Sequence, residues 1–290
     1  MQSTGIGDWE LLVRLGAFVG VLAAMAAWEV RAPRRARLLA RRVRWPGNLG
    51  LVALNVLVAR LAFPVAAVGF AAIAAERGWG LLNAFDIPPW LAFGLSLLAL
   101  DVAIYLQHVM FHAVPVLWRL HRVHHADPDC DVTTGARFHP VEIVLSMLVK
   151  LAAIAVIGAP AAAVLAFEVL LNACAMFNHG NVAIPRAVDR ALRRVIVTPD
   201  MHRIHHSMAM AETNSNYGFN LAWWDRLFGT YRAQPRAGHD AIVIGIHGHT
   251  DPREVARLDG MLLMPLKGKV DGYAINRRHW SDETSGESAS

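Results

Sequence analysis

Long apolar blocks dominate this chain and limit the folds open to it. Blocks long enough to cross a bilayer run from about residue 11 to 30, 49 to 75, 90 to 106 and 143 to 177. An open chain crosses the bilayer core as a helix, because only a helix satisfies its own backbone hydrogen bonds there. Hydrophobic residues make up 55% of the sequence and charged residues only 18%, below the usual quarter for soluble domains. The sequence therefore predicts an all-α, polytopic membrane bundle.

The breaks within these blocks predict three spans and one helical hairpin. Arg60 and Pro64 interrupt the second block, whereas Gly158-Ala159-Pro160 in the fourth block is typical of a turn between two helices. The hairpin returns the chain to the side that it left. Every histidine-rich segment then lies on one side of the membrane, as a cytoplasmic helical cap.

Basic residues concentrate in the loop after the first block. Seven arginines lie between Arg31 and Arg44, and basic loops beside apolar spans are typically cytoplasmic. An interfacial helix that binds anionic lipid is a compatible second interpretation. Arg14, near the start of the first block, is expected to snorkel to the interface. Although the net charge is +5, this placement argues against nucleic acid as a partner.

The termini and the cysteines bear on the compartment. The first ten residues carry acidic groups and no basic group, so no cleavable signal peptide is expected and the first block should stay as an anchor. Cys130 and Cys174 have neither metal-ligand spacing nor a disulfide framework, and we interpret them as buried or idle thiols. The Ala- and Arg-rich composition favours a bacterium, and hence its inner membrane.

Eight histidines fall into three clusters that read HxxxH, HxxHH and HxxHH. Residues three and four apart are neighbours on a helix, so each cluster places its imidazoles on one face. Neutral imidazole is the commonest nitrogen ligand of iron, zinc and copper. Since eight ligands exceed what one ion accepts, the count predicts two metal ions. The eight are His108, His112, His121, His124, His125, His202, His205 and His206.

Two further histidines are candidate ligands. His179 follows the predicted hairpin directly, so it returns to the same face. His139 precedes Pro140 and should lie outside regular helix, where it is a candidate for a ligand or for a group that orients one. The four remaining histidines lie in polar sequence, and we interpret them as surface residues.

Four other side chains are candidates for orienting the ligands. Asp101 and Tyr105 share a helical stripe with His108. An aspartate inside a span is costly unless partnered, so Asp101 is predicted to accept an N–H from a ligating imidazole. The alternative is a helix-end carboxylate bonded to solvent or to an arginine. Glu142 and Asp200 are the other two candidates.

The predicted donor set is imidazole alone, without thiolate and almost without carboxylate. It differs from zinc fingers, from iron–sulfur sites, and from soluble di-iron bundles that use Glu-x-x-His. Two irons with open positions explain the number of ligands and favour activation of O2. Zinc also accepts imidazole and stays open as a substitute.

The order and spacing of the motifs resemble one known family. DxxxYxxHxxxH, HxxHH, RxHPxE and TPDxHRxHHS, followed by NYGxxLxxWDRLFGTY, are similar to the fatty acid hydroxylase / sterol desaturase superfamily of integral-membrane di-iron oxygenases. The resemblance covers about Asp101 to Tyr231. It departs at Val109, where many members have arginine, and this weakens the subfamily assignment more than the chemistry.

The resemblance implies an enzyme that uses two irons and O2 to hydroxylate or desaturate a C–H bond of a lipid. It implies that the eight clustered histidines and His179 bind the irons, with His139 as a further candidate. It also implies that the segment around Asn216 to Gly229 covers the site. The chain has no flavin or haem signature that we identify, so electrons are expected from a separate reductase, ferredoxin or cytochrome. Sterol, fatty acyl, sphingolipid, carotenoid and alkylglycerol substrates all stay open.

These features divide the chain into four parts. We expect membrane spans with a basic loop over residues 1–100, a di-iron catalytic domain over 101–232, a cytoplasmic extension over 233–280 and a disordered tail over 281–290.

Other function classes stay open at this point. A zinc-dependent membrane hydrolase would use Glu142 as its general base, although the chain has no HExxH motif. A non-enzymatic metal-binding membrane protein would keep the ligands without turnover. A metal transporter would place its ligands near the middle of the spans, whereas here they lie at span ends.

Overall fold

A computed structural model describes residues 6–270, and in that range the chain is helical, with three isolated bridges in place of strands. Five helical segments are long and apolar enough to cross a membrane, which confirms the prediction of an all-α polytopic bundle. These segments are Trp9–Arg31, Arg41–Asn83, Pro89–Ala113, Pro140–Ile157 and Ala161–Asn178.

The helices follow the predicted blocks closely. The first seven are α1 (Ile6–Arg31), α2 (Arg41–Ala62), α3 (Ala67–Glu76), α4 (Pro89–Ala113), α5 (Pro115–His125), α6 (Pro140–Ile157) and α7 (Ala161–Asn178). The others are shorter: α8 (Arg186–Leu192), α9 (Pro199–His205), α10 (Met210–Thr213), α11 (Trp223–Leu227), α12 (Gly238–Ala241), α13 (Pro252–Ala256) and α14 (Leu258–Leu263).

Two breaks divide the apolar blocks. The second block is interrupted between α2 and α3, where Pro64 supplies no backbone donor. The hairpin of α6 and α7 turns at Gly158, which has φ +76° and donates its N–H to the carbonyl of Ile154 at 2.8 Å. A side chain at Gly80 would collide with the backbone of Gly158, so the loop before α4 packs directly on the hairpin tip.

The centre of the bundle is formed by α4 and α7. Helix α4 packs against α5, α6 and α7, while α7 also contacts α1 and α3. A core of Leu100, Ile104, Ile154 and Phe167 lies where these helices meet. Both central helices end at the same end of the bundle, and α4 continues through His112. This places the histidine-rich segments together.

The segment after residue 250 packs back on the bundle. Helices α13 and α14 contact α2, and Met261 joins Trp118 of α5 in a second core. Arg122 of α5 donates to the carbonyls of Met264 and Lys267. The expected tail over residues 281–290, and the end of the expected extension from residue 271, lie outside the described residues.

One arginine of the basic loop has a role that its sequence position did not indicate. Arg44 is fully buried, and it donates twice to Asp127, at 2.7 Å each, and once to Asp131 at 2.8 Å. Burial alone would raise the pKa of Asp127, but the charges of Arg44 and Arg137 hold it below its usual range. The pair ties α2 to the segment directly after α5, the helix that carries the second histidine cluster.

Candidate metal centre

Nine buried histidines converge at one end of the bundle in two groups. Within each group, one nitrogen from every ring lies within 4.8 Å of the others. The five-histidine group consists of His108, His112, His121, His125 and His205. The four-histidine group consists of His124, His179, His202 and His206.

Both HxxHH motifs are divided between the two groups. On α5, His121 and His125 belong to the five-histidine group, whereas His124 between them belongs to the other. On α9 the division is reversed, since the central His205 belongs to the five-histidine group and its two flanking histidines do not. The Thr198 side chain accepts from the Met201 N–H and so caps the start of α9. Each motif therefore serves two sites at once.

Hydrogen bonds fix the tautomer of three rings. In each, Nδ1 lies within hydrogen-bond distance of a backbone carbonyl, and a carbonyl only accepts, so Nδ1 carries the proton and Nε2 a lone pair. The pairs are His108 with Tyr217 at 2.7 Å, His205 with Ser215 at 2.8 Å, and His179 with Ala175 at 2.7 Å.

The lone pairs left on Nε2 face other nitrogens. The Nε2 atoms of His108 and His205 are 3.0 Å apart, and neither has a proton to share. In the second group, His179 Nε2 lies 3.0–3.1 Å from the Nε2 atoms of three rings. One lone pair cannot accept three hydrogen bonds. A shared cation resolves both arrangements, so the donor set fits a metal in each group.

The nitrogen spacing bears on the coordination. Two nitrogens about 2.1 Å from one ion lie about 3.0 Å apart at a right angle and about 3.4 Å apart at the tetrahedral angle. The observed 3.0–3.1 Å is therefore a spacing at which neighbouring nitrogens can share one ion.

The rings are kept in the neutral form that binds metal. Burial, reinforced by the neighbouring imidazoles, lowers the pKa of His124 well below its usual value. Burial lowers the pKa of His121 to about 3 and that of His179 to about 4. Within the described residues, His112 Nε2 and both nitrogens of His125 are buried without a hydrogen-bond partner. Such orphaned nitrogens are expected where a metal is the missing partner.

The family model for fatty acid hydroxylase matches residues 93–230, a segment that contains all nine grouped histidines. This segment is therefore similar to the fatty acid hydroxylase family. Ornithine lipid hydroxylase OlsE of Rhizobium tropici is 31% identical over 164 residues, which are 57% of this chain and 48% of that protein. Alkylglycerol monooxygenase of Homo sapiens is 27% identical over 171 residues, which are 58% of this chain and 36% of that protein. The matches thus span less than half the length of these curated relatives. No solved structure matches the chain.

Glu142 orients a histidine ring, as the sequence predicted. It is buried in the first turn of α6, and its Oε1 accepts from His121 Nδ1 at 2.7 Å. The contact holds the proton on Nδ1 and so turns the Nε2 lone pair of His121 toward His108, 3.0 Å away.

We expect Glu142→Ala to weaken metal binding in the five-histidine group by about 10- to 100-fold, because the partner that orients His121 is lost. Glu142→Gln keeps an oxygen acceptor and should lose much less. Chelator titration followed by elemental analysis measures both. Equal retention of metal by the wild type and the alanine variant would show that the contact has no influence on the site.

Asp101 does not contact a histidine ligand. Among the described residues, its carboxylate accepts from Asn220 Nδ2 at 2.8 Å, from the Leu221 N–H at 3.2 Å and from Trp224 Nε1 at 2.7 Å. The predicted bond to an imidazole is therefore wrong. The carboxylate instead holds the segment around Asn220 to Trp224 against α4. These hydrogen bonds offset the cost of placing an aspartate in a span.

The other two orienting candidates also have different partners. Tyr105 shares a hydrogen bond with Thr230 at 2.8 Å and stacks on Phe228, so it too holds the covering segment. Asp200 pairs with Arg203 and lies 3.4 Å from Arg34. It belongs to a partly exposed ion cluster at the outer side of α9, away from the ligand nitrogens.

His139 lies outside both histidine groups. Its Nδ1 accepts from the Val141 N–H at 3.2 Å and so caps α6, and its Nε2 lies 3.3 Å from the carbonyl of Leu262. Both ring nitrogens thus have protein partners. We leave His139 out of the proposed ligand set.

The sequence did not single out Asp225 as an orienting group. It accepts from the N–H groups of Tyr217 and Gly218 at 2.7 and 2.9 Å, and from Thr230 Oγ1 at 2.7 Å. These bonds fix the turn whose Tyr217 carbonyl accepts from His108. Its place in the WDRLFGTY motif was the only available signal, because the ligand contact is made by backbone.

A cavity of about 470 Å³ leads from the spans to the five-histidine group. It lies between α1, α2, α4, α6 and α7, and His108, His121 and Glu142 line one end. Most of its other walls are apolar, with Phe111 and Phe138 close to the histidines. Of the two groups, only the five-histidine group contributes described residues to this lining.

Proposed function

We propose that this protein is an integral-membrane lipid oxygenase that binds two iron ions and uses O2 to hydroxylate, or alternatively desaturate, a C–H bond of a lipid. The observation that carries the proposal is the apolar cavity between the spans, which ends on His108 and His121 of a complete imidazole site. A lipid chain in that cavity would reach the metal centre without leaving the bilayer.

Iron bound in the two groups would supply the O2 chemistry. The protein's own residues prepare the site. The backbone carbonyls and Glu142 hold protons on Nδ1, which leaves Nε2 free for metal. The apolar walls at Phe111 and Phe138 exclude water and position a hydrocarbon chain against the site.

The relatives support a lipid as the substrate class, since one is named an ornithine lipid hydroxylase and another an alkylglycerol monooxygenase. We propose that electrons come from a separate reductase, ferredoxin or cytochrome that docks at the histidine end of the bundle. Exposed arginines gather at that end, including Arg31, Arg37 and Arg186. By the positive-inside rule, the histidine end of the bundle faces the cytoplasm. In a bacterium, the spans would cross the inner membrane.

A zinc hydrolase has less support. Its general base would be Glu142, but the Oε1 atom of that residue already accepts from His121 Nδ1 and so orients an imidazole of the site. A non-enzymatic metal binder would not need a cavity that ends on its ligands.

The test is a lipid product that depends on O2. Membranes containing the wild-type protein, supplied with a reductase and isotopically labelled O2, are expected to yield a lipid that gains one labelled oxygen atom, as measured by mass spectrometry. A His108→Ala variant, in which one imidazole of the site is removed, should yield none. A product that forms equally well without O2 would exclude an oxygenase.

A further inference from the structure

A cluster of charged side chains lies inside the spans, in the part of the cavity away from the histidines. Glu168 of α7 accepts from Arg14 of α1 and from Lys150 of α6, at 2.6 Å each. Arg14 also donates to Glu10, at 2.9 Å. We call these four residues the intramembrane ion cluster. Its two positive and two negative charges sum to zero.

The structure places Arg14 differently from the sequence-based expectation. Instead of snorkelling alone to the interface, Arg14 reaches across to Glu168, whose side chain is 7% exposed. Charged residues inside a span are costly, and well-packed apolar residues often replace a buried ion pair without loss of stability. Helix packing alone therefore does not account for three charged positions on three spans.

The cluster and the histidines bound the same cavity. Arg14, Lys150 and Glu168 line it together with His108 and His121. On α6, Lys150 is eight residues beyond Glu142, so the cluster lies about 12 Å farther along the helix axis than the contact with His121. A ligand that spans this distance would touch both ends.

The free hydrogen-bonding capacity of the cluster defines what it can bind. Both oxygens of Glu168 are occupied, whereas Lys150 has three N–H donors and uses one in the bond given above. Arg14 likewise keeps donors beyond its bonds to the two glutamates. A cluster with spare donors and no net charge matches an uncharged group that offers oxygen acceptors, such as a hydroxyl, ester or amide.

A second polar point lies between the two ends. Gln107 of α4 donates to Ser146 of α6 at 2.8 Å, and both residues line the cavity. The Oε1 atom of Gln107 is buried without a partner within the described residues. The path from the cluster to the histidines is therefore able to accept a hydrogen bond from a ligand hydroxyl or amide.

We propose that the intramembrane ion cluster binds the uncharged, oxygen-bearing polar group of the lipid substrate and so fixes which carbon of its chain lies beside the five-histidine group. This inference rests on the proposed lipid oxygenase function for its second half. The binding half stands on the cavity and on the donors of Lys150 and Arg14.

The test uses a charge-balanced pair of substitutions. The double variant Lys150→Met, Glu168→Gln removes one positive and one negative charge, so the remaining pair of Arg14 and Glu10 stays neutral. The matched control makes the same exchange, Arg60→Met with Glu76→Gln, at exposed positions of α2 and α3 that do not line the cavity.

Binding is measured on the full-length, iron-loaded protein in detergent micelles, with 1-palmitoylglycerol and hexadecane as probes, from the shift in the thermal unfolding midpoint. We expect the wild type and the control to bind 1-palmitoylglycerol at least about tenfold more tightly than hexadecane. A tenfold difference in affinity is about what one good hydrogen-bonded contact contributes. The double variant loses the donors of Lys150 but keeps Arg14, so it should lose most of this preference. The proposal would be overturned if the wild type bound the two probes equally, or if the double variant kept the full preference for 1-palmitoylglycerol. The comparison of the two probes on the wild type decides the question even if the double variant does not fold.

Oxidation of 1-palmitoylglycerol by the same preparations separates this proposal from the proposed function. Product oxidised at one chain position by the wild type, and at several positions by the double variant, supports both. A binding preference without any oxidation supports the cluster site and counts against the oxygenase. Oxidation without a binding preference supports the oxygenase and counts against the cluster site.

Discussion

His179→Ala is expected to hold one metal ion where the wild type holds two, and to lose lipid oxidation altogether. The Nε2 atom of His179 lies 3.0–3.1 Å from the Nε2 atoms of the other three members of its group. Its removal leaves three ligands and opens the centre of the site. The five-histidine group contains none of these atoms, so its metal should stay.

Metal content by elemental analysis, on protein purified anaerobically from iron-replete cells, measures the first effect. His139→Ala is the matched control, because it removes a buried imidazole that caps α6 and belongs to neither group. The control should retain both metals and lose about 1 kcal/mol of stability with its cap. Two metals in the His179 variant, or one in the wild type after reconstitution with iron, would contradict the proposed pair of sites.

Arg44→Met is expected to destabilise the protein by about 3–5 kcal/mol, the range found when one partner of a buried ion pair is removed. The carboxylates of Asp127 and Asp131 would be left buried, with three hydrogen bonds from the guanidinium lost. In a domain of this size that corresponds to a fall of about 10 °C in Tm.

Thermal unfolding followed by tryptophan fluorescence in detergent measures this loss. The control is Arg42→Met, which removes the same charge two residues earlier in α2 at an exposed position. It should change Tm by no more than about 1 °C, since exposed substitutions away from such contacts have small effects. Equal changes in both variants would show that Arg44 acts only through the positive charge of the loop.

The apolar blocks predicted the spans well because burial in lipid imposes a pattern on every residue of a helix. The break at Gly158 and the start of α4 before Trp90 are visible in the sequence for that reason. The histidines were equally visible, since few side chains serve as metal ligands and their helical spacing is regular.

The groups that orient the histidines could not be predicted in the same way. His108 and His205 donate to backbone carbonyls of Tyr217 and Ser215, and any residue type can offer a carbonyl. Asp101 was visible as a costly charge in a span, but its partner depends on where the segment around Trp224 folds back. Long-range packing, which leaves no local pattern, determined these contacts.

Spacing also could not divide the histidines into two sites. A motif HxxHH places three rings on one broad face, and the rotation of about 100° between the consecutive His124 and His125 decides the site to which each belongs. That rotation has meaning only relative to the facing helix α9.

The depth of the intramembrane ion cluster has a consequence for where a substrate comes from. Lys150 is about 15 Å along α6 from its histidine end and about 10 Å from its hairpin end. A lipid held with its polar group at the cluster would therefore belong to the leaflet farther from the histidines, with its chain pointing across the midplane. Such an enzyme would modify lipids of one leaflet while drawing its electrons from the opposite side of the membrane.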